Sequence, residues 1–309
     1  MQPTTRDVHI DAALTQVSIA YKNEELIAEK IFPVINVKKD SDKYFVYDKQ
    51  NLKSYSLDRA PGTRAKQVEW NIKKTPTYSV SERAAEVQLI DEVRDNADDP
   101  IKYDADSTEI GTDILKLDLE RRIANIVQTA GNYATGYSGN PATKWDAPDA
   151  DILADLDTAR EKIRKAVLKR PNTLVLPQDV YLTVRRHPIL LEYYKYTKGG
   201  TLSVDILKEV FEVENLLVGV GSYDAAQEGK EESMTDIWTN TAALLYVPKT
   251  PGLKQISFGY IFRKSGYPLV ERWREDATRS DWLRISDKYD CKIIDSYAGY
   301  LFTNVLTSR

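Results

Sequence analysis

Apolar residues recur at two different spacings along this chain, and the changes of spacing divide it into five segments. In residues 1–37, a short amphipathic piece gives way to the extended run "IFPVINV". Pro33 lies in that run, and proline is excluded from a helix interior because it lacks an N–H and clashes with the preceding turn. We therefore predict that residues 1–37 form an extended arm rather than a compact domain.

The second segment, residues 38–80, contains the two strand-like runs "KYFVYD" and "QVEWNI". In the second run, Val68, Trp70 and Ile72 alternate with polar neighbours, which favours a strand with one apolar face. Residues 49–65 separate the runs, and this separation is longer than a tight hairpin needs. Because an isolated two-stranded ribbon is marginal in water, we expect another subunit to cover the apolar face of this long β-loop.

A long helix is predicted over about residues 100–130, as a rod of roughly 40 Å. Its start is signalled either by Asp99, which precedes Pro100, or by Asp106, which has an acidic residue three positions later. Glycine- and asparagine-rich residues 130–145 end it. The predicted apolar stripe comprises Leu115, Leu119, Ile123 and Ile126, broadened by Ile110, Ile114 and Leu117.

Residues 148–250 alternate helical and extended patterns, whereas residues 251–309 are rich in tyrosine and β-branched residues. A helix capped by Asp149 or Asp151 opens the first region, and "NTLVLP" follows it as a buried strand. Two short helices and two more strands come next, and the first of these helices ends before Pro188. We predict a compact α/β region followed by a β-structured end.

Two adjacent blocks of opposite charge lie in the first third of the chain. Residues 38–74 hold ten basic and five acidic residues, a net charge of +5, and residues 86–109 hold nine acidic and two basic residues, a net charge of −7. Either the blocks pair between copies of the chain, or they are two solvated faces. The interface candidates are Lys38, Lys39, Lys53, Arg59, Arg64, Lys73 and Lys74 on the basic side, and Glu86, Asp91, Glu92, Asp95, Asp98 and Asp99 on the acidic side.

The composition is that of an ordinary soluble chain. Of 309 residues, 42% are hydrophobic and 29% charged, and the net charge of −4 does not indicate a protein that binds nucleic acid by bulk attraction. Cys291 is the single cysteine, so no internal disulfide is available and a reducing compartment is expected. The N-terminus lacks the pattern of a signal peptide, and no apolar run is long enough to span a membrane. We expect assembly in a cytoplasm without membrane association.

The residues that usually perform chemistry form no recognisable motif. There are two histidines, His9 and His187, and no G-x-S-x-G motif or Walker-type lysine. Gly219 and Gly221 follow a strand, but the third glycine of a dinucleotide turn is missing, and the acidic residues 95–109 lack the glycine and spacing of a calcium-binding loop. A pair of catalytic carboxylates is neither supported nor excluded. We expect no catalytic site, no cofactor and no bound metal.

The order of these segments resembles the major capsid proteins of tailed bacteriophages, which have the Hong Kong 97-like shell fold. The resemblance is carried by "AEKIFPVINVKKDSDKYFVYDK", the predicted long helix, "DILADLDTAREKIRKAVLKRPNTLVLPQDVYLTVRRHPIL", "VGVGSYDAAQEGKEESMTDIWTNTAALLYVP" and "SDWLRISDKYDCKIIDSYAGYLFTNVL". It implies an α+β fold with an N-terminal arm, an extended β-hairpin loop, a long spine helix, a peripheral domain and an axial domain.

The resemblance also implies a division of the chain. Residues 1–37 would be the N-terminal arm, 38–80 the extended β-loop, 81–147 the peripheral domain with the spine helix, 148–250 the axial domain, and 251–309 a return to peripheral-domain strands. The stretch "RPNTLVLPQDVYLTVRRHPIL" would then be a packing corner. Its polar residues Asp179, Arg185, Arg186 and His187 are expected at the surface, at a helix cap or in a subunit contact.

The function implied by the resemblance is self-assembly, as hexamers and pentamers, into an icosahedral shell enclosing double-stranded phage DNA. The β-loop would lie over a neighbouring subunit near its acidic residues 86–109, and residues 222–235 would face the capsomer centre. Because the chain enters the arm within about 20 residues, we expect a separate scaffolding protein, or none. A portal and a decoration protein are further expected partners, and DNA would be contacted only non-specifically. The alternatives are an encapsulin-like compartment shell and another phage structural protein such as a tail-tube subunit.

Overall fold

The computed structural model describes residues 9–10, 26–44, 46–47, 57–59, 61–67, 72–74, 76–95, 103–194, 202–226, 230–252 and 255–307. The described helices are α1 (Ala28–Ile31), α2 (Asp91–Asp95), α3 (Tyr103–Gln128), α4 (Ile152–Val167), α5 (Gln178–Val184), α6 (Pro188–Tyr194) and α7 (Val204–Val210).

The described strands are β1 (His9–Ile10), β2 (Val34–Val37), β3 (Ser41–Lys43), β4 (Val46–Tyr47), β5 (Ile72–Lys74), β6 (Thr77–Ser79), β7 (Ser81–Ile90), β8 (Ser138–Gly139), β9 (Thr173–Pro177), β10 (Asn215–Gly219), β11 (Ser222–Asp224), β12 (Met234–Asp236), β13 (Thr241–Leu245), β14 (Gly259–Lys264), β15 (Leu269–Glu275), β16 (Ser280–Ile293) and β17 (Gly299–Thr303). Together with the helices they confirm the predicted mixed α+β class.

The larger sheet is organised around the long strand β16. Strand β7 pairs with one edge of β16 through residues 280–289, and β15 and β14 pair in succession with the other edge, all antiparallel. Strand β2 adds to β14 in parallel, and β1 adds to β15. Residues 34–37 of the predicted arm therefore belong to this sheet.

The smaller sheet has the order β10, β9, β13, β17, β8. Strand β9 is buried along its whole length, which confirms the buried strand predicted from "NTLVLP". The last strand, β17, pairs with β13 and not with β14, β15 or β16. The chain therefore crosses from the larger sheet to the smaller one between β16 and Gly299–Thr303, and the assignment of residues 251–309 to the peripheral domain stays a prediction.

Helix α3 joins the cores of both sheets. Near its start, Leu115 packs with the buried cluster of Leu89, Val270, Leu283 and Ile285 on one face of the larger sheet. Further along, Leu119, Ile123, Ala124 and Val127 belong to the main core with the smaller sheet. The helix thus fixes the position of one sheet against the other.

Two details of the helix prediction are wrong. Ile110 and Ile114 are 60% and 54% exposed, because the face turned to the sheet is formed by Ser107, Thr108, Gly111 and Thr112. Asp106 lies inside the helix, which already begins at Tyr103. The other proposed start, Asp99 with Pro100, lies outside the described residues. For α4, by contrast, the predicted cap is confirmed, since the Asp151 side chain accepts a hydrogen bond from the backbone N–H of Ala154.

The β-loop is a ribbon at its base. Strand β3 pairs with β6, and β4 pairs with β5, both antiparallel. This confirms pairing between the two arms of the loop, although Val68 and Trp70, which carried part of the prediction, lie outside the described residues. The proposed boundaries of the arm, β-loop, peripheral and axial domains stay predictions.

Candidate subunit-interface surfaces

The base of the β-loop is anchored to the larger sheet by aromatic packing. Val37, Tyr44, Tyr78 and Val80 form a buried cluster with Tyr260 and Phe262 of β14. The rings of Tyr78 and Phe262 stack with their centroids 4.8 Å apart. This cluster fixes the direction in which the loop leaves the sheet.

Ion pairs add to the aromatic anchor. Asp40 contacts the Nζ atoms of Lys264 at 2.6 Å and Lys288 at 3.1 Å, and these lysines lower the pKa of its carboxyl group. Lys39, one of the interface candidates, contacts Asp42 at 3.0 Å. The charges at the base of the loop are therefore partly satisfied within the subunit.

The tip of the loop presents its side chains to solvent. Every described residue of the loop tip, 57–59 and 61–67, is exposed, including the interface candidates Arg59 and Arg64. Leu57 is 72% exposed, although a leucine side chain gains about 2 kcal/mol on burial. Such an extension has no core of its own.

The remaining candidates lie on the β-loop or at the edge of the larger sheet, except for three outside the described residues. Lys38 is exposed at the loop base, Lys73 and Lys74 lie in β5, Glu86 lies in β7, and Asp91, Glu92 and Asp95 lie in α2. Lys53, Asp98 and Asp99 lie outside the described residues. The two charge blocks are thus on the loop and on the edge region of the larger sheet.

Three residues of the acidic block have arginine partners in the same chain. Glu86 contacts Arg284 at 2.8 Å, and both oxygens of Asp91 accept hydrogen bonds from Arg274. The Arg274 guanidinium lowers the pKa of Asp91. A second group joins Arg94 and Arg272 to Asp104 and Asp281. The sequence count of −7 therefore overstates the charge that this region offers to a partner.

The face of the larger sheet turned away from α3 carries a stacked tryptophan pair that the sequence reasoning missed. Trp273 of β15 lies opposite Trp282 of β16, with ring centroids 6.2 Å apart and an interplanar angle of 7°. Arg284 lies over the Trp273 ring, 4.9 Å from its centroid. Both indoles are partly exposed. The available signal was the alternation in "LVERWRE" and "SDWLRIS", which places Trp273 on the face opposite Val270 and Trp282 on the face opposite Leu283.

A buried carboxylate holds the end of the arm against α3. Glu120 is 1% exposed, and its Oε2 accepts hydrogen bonds from the backbone N–H groups of Ile27 at 3.0 Å and Ala28 at 2.7 Å. Its Oε1 accepts one from Trp238 Nε1 at 2.7 Å. Burial raises the pKa of Glu120, against the lowering effect of these donors. No pattern in the sequence marks it, because its partners are distant along the chain.

The corner at residues 170–190 is a packing feature. His187 is 3% exposed, and its Nε2 lies 2.9 Å from the carbonyl oxygen of Ala147. The expectation of a surface position is therefore wrong for His187, because the turn after α5 carries the ring inward. Asp179 is the second residue of α5, whose N-cap is Pro177, and its carboxylate accepts a hydrogen bond from the backbone N–H of Val180 in the first turn.

The segment expected at the capsomer centre is a hairpin whose base rests on α3. Strands β11 and β12 pair antiparallel, and Arg121 of α3 lies over the ring of Tyr223, 4.2 Å from its centroid. Asp224 accepts hydrogen bonds from the backbone N–H groups of Ala226 and Ser233, which closes the hairpin stem. Met234 is 65% exposed.

The described residues offer little chemistry. Burial raises the pKa of the Cys291 thiol to about 12, which disfavours the thiolate that a nucleophile needs. No group of three or more His, Cys, Asp or Glu side chains among the described residues could hold a metal ion. In that same part of the chain, no helix is both long and apolar enough to cross a membrane.

Residues 73–301 match the model of a family described as phage capsid protein. The chain is 29% identical over 303 residues to a major capsid protein of Burkholderia phage BcepMu, covering 96% of each chain. It is 28% identical over 245 residues to a major capsid protein of Pseudomonas phage JBD67, covering 77% of each.

Solved structures show the same fold. A crystal structure of a phage-related protein from Bordetella bronchiseptica is 27% identical, with a TM-score of 0.79 over 97% of this chain and 98% of that chain. A structure from Microbacterium phage Oxtober96 is similar in fold, with a TM-score of 0.59, 10% identity and 92% of each chain covered. A structure of an encapsulin from Synechococcus elongatus is also similar, with a TM-score of 0.53, 13% identity, and coverage of 97% of this chain and 98% of that chain. The fold is the expected Hong Kong 97-like fold.

Proposed function

The chain belongs to the phage capsid protein family, and we propose that it is a major capsid protein that assembles as hexamers and pentamers into an icosahedral shell around double-stranded DNA. The proposal places the protein in the virion capsid after assembly in the cytoplasm of a bacterial host. Its role is structural, and the family is a family of shell proteins rather than of enzymes.

The observation that carries the proposal is the β-loop. Its base is fixed to the larger sheet by the cluster around Tyr78 and Phe262, whereas Leu57 and the other described tip residues are exposed. An isolated subunit gains nothing from holding an extended loop with an exposed leucine in solvent, whereas in a shell each loop tip can contact the surface of a neighbouring subunit. Because a shell sums many such contacts, each of them can be weak.

The proposed partners follow from this role. Copies of the chain are the main partner, and a scaffolding protein, a portal and a decoration protein complete the particle. The net charge of −4 fits a shell that does not bind its DNA tightly, because counterions then neutralise most DNA phosphates.

The encapsulin-like alternative shares the fold, as the likeness to the Synechococcus encapsulin structure illustrates. Membership of the phage capsid family and the two phage relatives favour a DNA container. The same family membership argues against a tail-tube subunit.

Electron microscopy of the purified chain, after sizing by light scattering, tests the proposal. We expect closed polyhedral shells, or flat hexamers and pentamers, either from the chain alone or on co-expression with its scaffolding protein. Particles recovered from infected cells should contain DNA, whereas an enclosed protein cargo without nucleic acid would support the encapsulin-like alternative. Tubes, or a chain that stays monomeric under both conditions, would overturn the proposal.

A further inference from the structure

An open, polar cavity of about 410 Å³ lies between the C-terminal half of α3 and the base of the β11–β12 hairpin. Arg121 and Arg122 of the helix line it, together with Tyr223 and Asp236 of the hairpin. The buried residue Ile237 also contributes to the wall. Two adjacent helix residues therefore bring two guanidinium groups to one cavity.

The Arg121 side chain is held in place without the use of its hydrogen-bond donors. Its guanidinium lies over the ring of Tyr223, 4.2 Å from the centroid, and a cation is attracted to the face of an aromatic ring. No acceptor or carboxylate in the described part of the chain pairs with Arg121. A guanidinium carries five N–H donors in a fixed plane, so Arg121 can offer an oriented set of donors to a ligand.

Arg122 is only partly engaged. Its Nε donates a hydrogen bond of 2.6 Å to Asp118, whereas its two Nη atoms have no partner among the described residues. Asp118 also contacts Arg83 at 3.5 Å, so two guanidinium groups offset its single negative charge. Of the two carboxylates that line the cavity in the described residues, Asp236 is therefore the one that opposes an anion.

This set of groups suits a phosphate. Three arginines, Arg83, Arg121 and Arg122, outnumber Asp118 and Asp236, and the excess positive charge disfavours a metal cation. The planar fork of arginine matches two oxygens of a phosphate group, and a guanidinium is easier to desolvate than an ammonium group. Sites for apolar ligands are lined mainly by hydrophobic side chains, which this cavity lacks.

We propose that Arg121 and Arg122 bind a phosphate group, and that in the particle this group belongs to the backbone of the enclosed DNA. The inference rests on the proposed function, because it assigns contact with the DNA to two named side chains. A duplex presents its phosphates on the outside, so it can reach an open cavity without unpairing its bases. One such contact per subunit is weak, and the many copies in a shell multiply it.

Chemical footprinting separates a backbone phosphate from the other anions that pair with arginine. Arg121 and Arg122 are exposed, so phenylglyoxal should modify both in the unassembled chain, and mass spectrometry of the digested protein gives the extent of modification. The probes are a short DNA duplex, inorganic phosphate and acetate, compared at equal ionic strength. We expect the duplex, at about 100 µM, to lower modification of Arg121 at least about twofold, because non-specific binding has dissociation constants of this order or below.

The other two probes decide the identity of the ligand. Inorganic phosphate should protect Arg121 only at much higher concentrations than the duplex, and acetate should protect it less than inorganic phosphate does. Protection by inorganic phosphate at lower concentrations than by the duplex would overturn the assignment to DNA and identify a free phosphate as the ligand. Equal protection by acetate, or none by either phosphate probe, would overturn the site itself.

The salt dependence of duplex binding gives an independent readout. Each phosphate contact contributes about 0.9 to the slope of log K against log salt concentration. R121Q combined with R122Q should reduce the magnitude of that slope by about 1 to 2 and weaken binding, as fluorescence anisotropy of a labelled duplex would show. K169Q combined with R170Q removes the same charge from two exposed residues after α4 and should leave the slope unchanged. An equal effect of both double variants would mean that a diffuse field, and not this cavity, attracts the DNA.

Asp236 provides a test of opposite sign that keeps both arginines. D236N removes the carboxylate that opposes an anion in the cavity, so it should strengthen duplex binding about twofold to fivefold, the usual range for an exposed charge pair. This readout does not depend on whether loss of Arg121 disturbs the hairpin. Unchanged or weaker binding by D236N would show that the phosphate does not lie in the cavity.

The failures of the two proposals are distinguishable, because footprinting and anisotropy use the unassembled chain. If the chain forms no shells or capsomers with or without a scaffolding protein, the proposed function fails, and the assignment to enclosed DNA fails with it. If shells form and hold DNA but Arg121 stays unprotected, the capsid role stands and only the phosphate site is wrong.

Discussion

The indole Nε1 of Trp238 donates a hydrogen bond of 2.7 Å to Glu120, a residue 118 positions earlier in the chain. The other oxygen of the same carboxylate accepts the backbone N–H groups of Ile27 and Ala28. One buried side chain of α3 therefore joins the end of the N-terminal arm to the segment that follows the β11–β12 hairpin.

Replacing Glu120 with alanine should destabilise the subunit strongly. Three buried donors lose their acceptor, and each unsatisfied donor costs about 1–3 kcal/mol, so we expect a loss of at least roughly 3 kcal/mol in the free energy of unfolding. Urea denaturation of the unassembled chain measures this loss. N125A, which alters an exposed residue of the same helix, is the control and should change the value by less than about 0.5 kcal/mol.

The contribution of Glu120 to the stability of the subunit should fall as the pH rises. Burial raises its pKa in the folded chain, so the folded state binds the proton more tightly than the unfolded state does. The stabilisation that such a group contributes is fully present at pH values below its pKa in the unfolded chain. It is lost as the pH rises through its pKa in the folded chain. The advantage of the unaltered protein over E120Q should therefore shrink as the pH is raised from about 4 to neutrality.

Urea denaturation of both proteins across that range gives the difference directly. An advantage that stays constant, or that grows with pH, would mean that the three donors outweigh burial and that the carboxyl pKa is not raised.

Gly219 should not tolerate a side chain. A Cβ at this position would overlap the indole of Trp238 and lie 2.9 Å from its Cβ, so the ring would have to leave the position from which its Nε1 donates to Glu120. We expect G219A to cost about 1–3 kcal/mol, the usual range for overpacking. The control is G131A, where a Cβ has open space. Because both changes disturb one contact, combining G219A with E120Q should cost less than the sum of the two, as thermal or urea unfolding would show.

The apolar pattern predicted the elements that bury an uninterrupted or regularly spaced apolar face. Strand β9 and the Asp151 cap of α4 are examples, since each depends on neighbours within a few residues. The pattern failed for Ile110 and Ile114 of α3. There the helix lies so close to the sheet that small residues form the buried side, and a Cβ on Gly111 would lie 2.6 Å from Cδ1 of Ile285.

The sequence predicted the candidate interface only from the number of charged residues in each block. The count could not show that Glu86 and Asp91 meet arginines on strands almost 200 residues later. Nor could it show that Trp273 and Trp282 stack, because their contact depends on the register of β15 with β16. Long-range pairing of this kind is decided by the fold and not by local sequence.

Reversing the charge of Lys73 and Lys74 to glutamate should impair assembly more than folding. Both residues lie in β5, at the base of the basic loop, and the change alters the loop charge by four units. Surface charges contribute about 1 kcal/mol or less to stability, but repulsion at a subunit interface is repeated at every contact of a shell. We therefore expect a folded subunit with an assembled fraction about tenfold lower, by light scattering and electron microscopy. K169E with R170E makes the same change on two exposed residues after α4 and should assemble normally. Shells at the normal yield from the Lys73 and Lys74 variant would remove the basic loop from the interface.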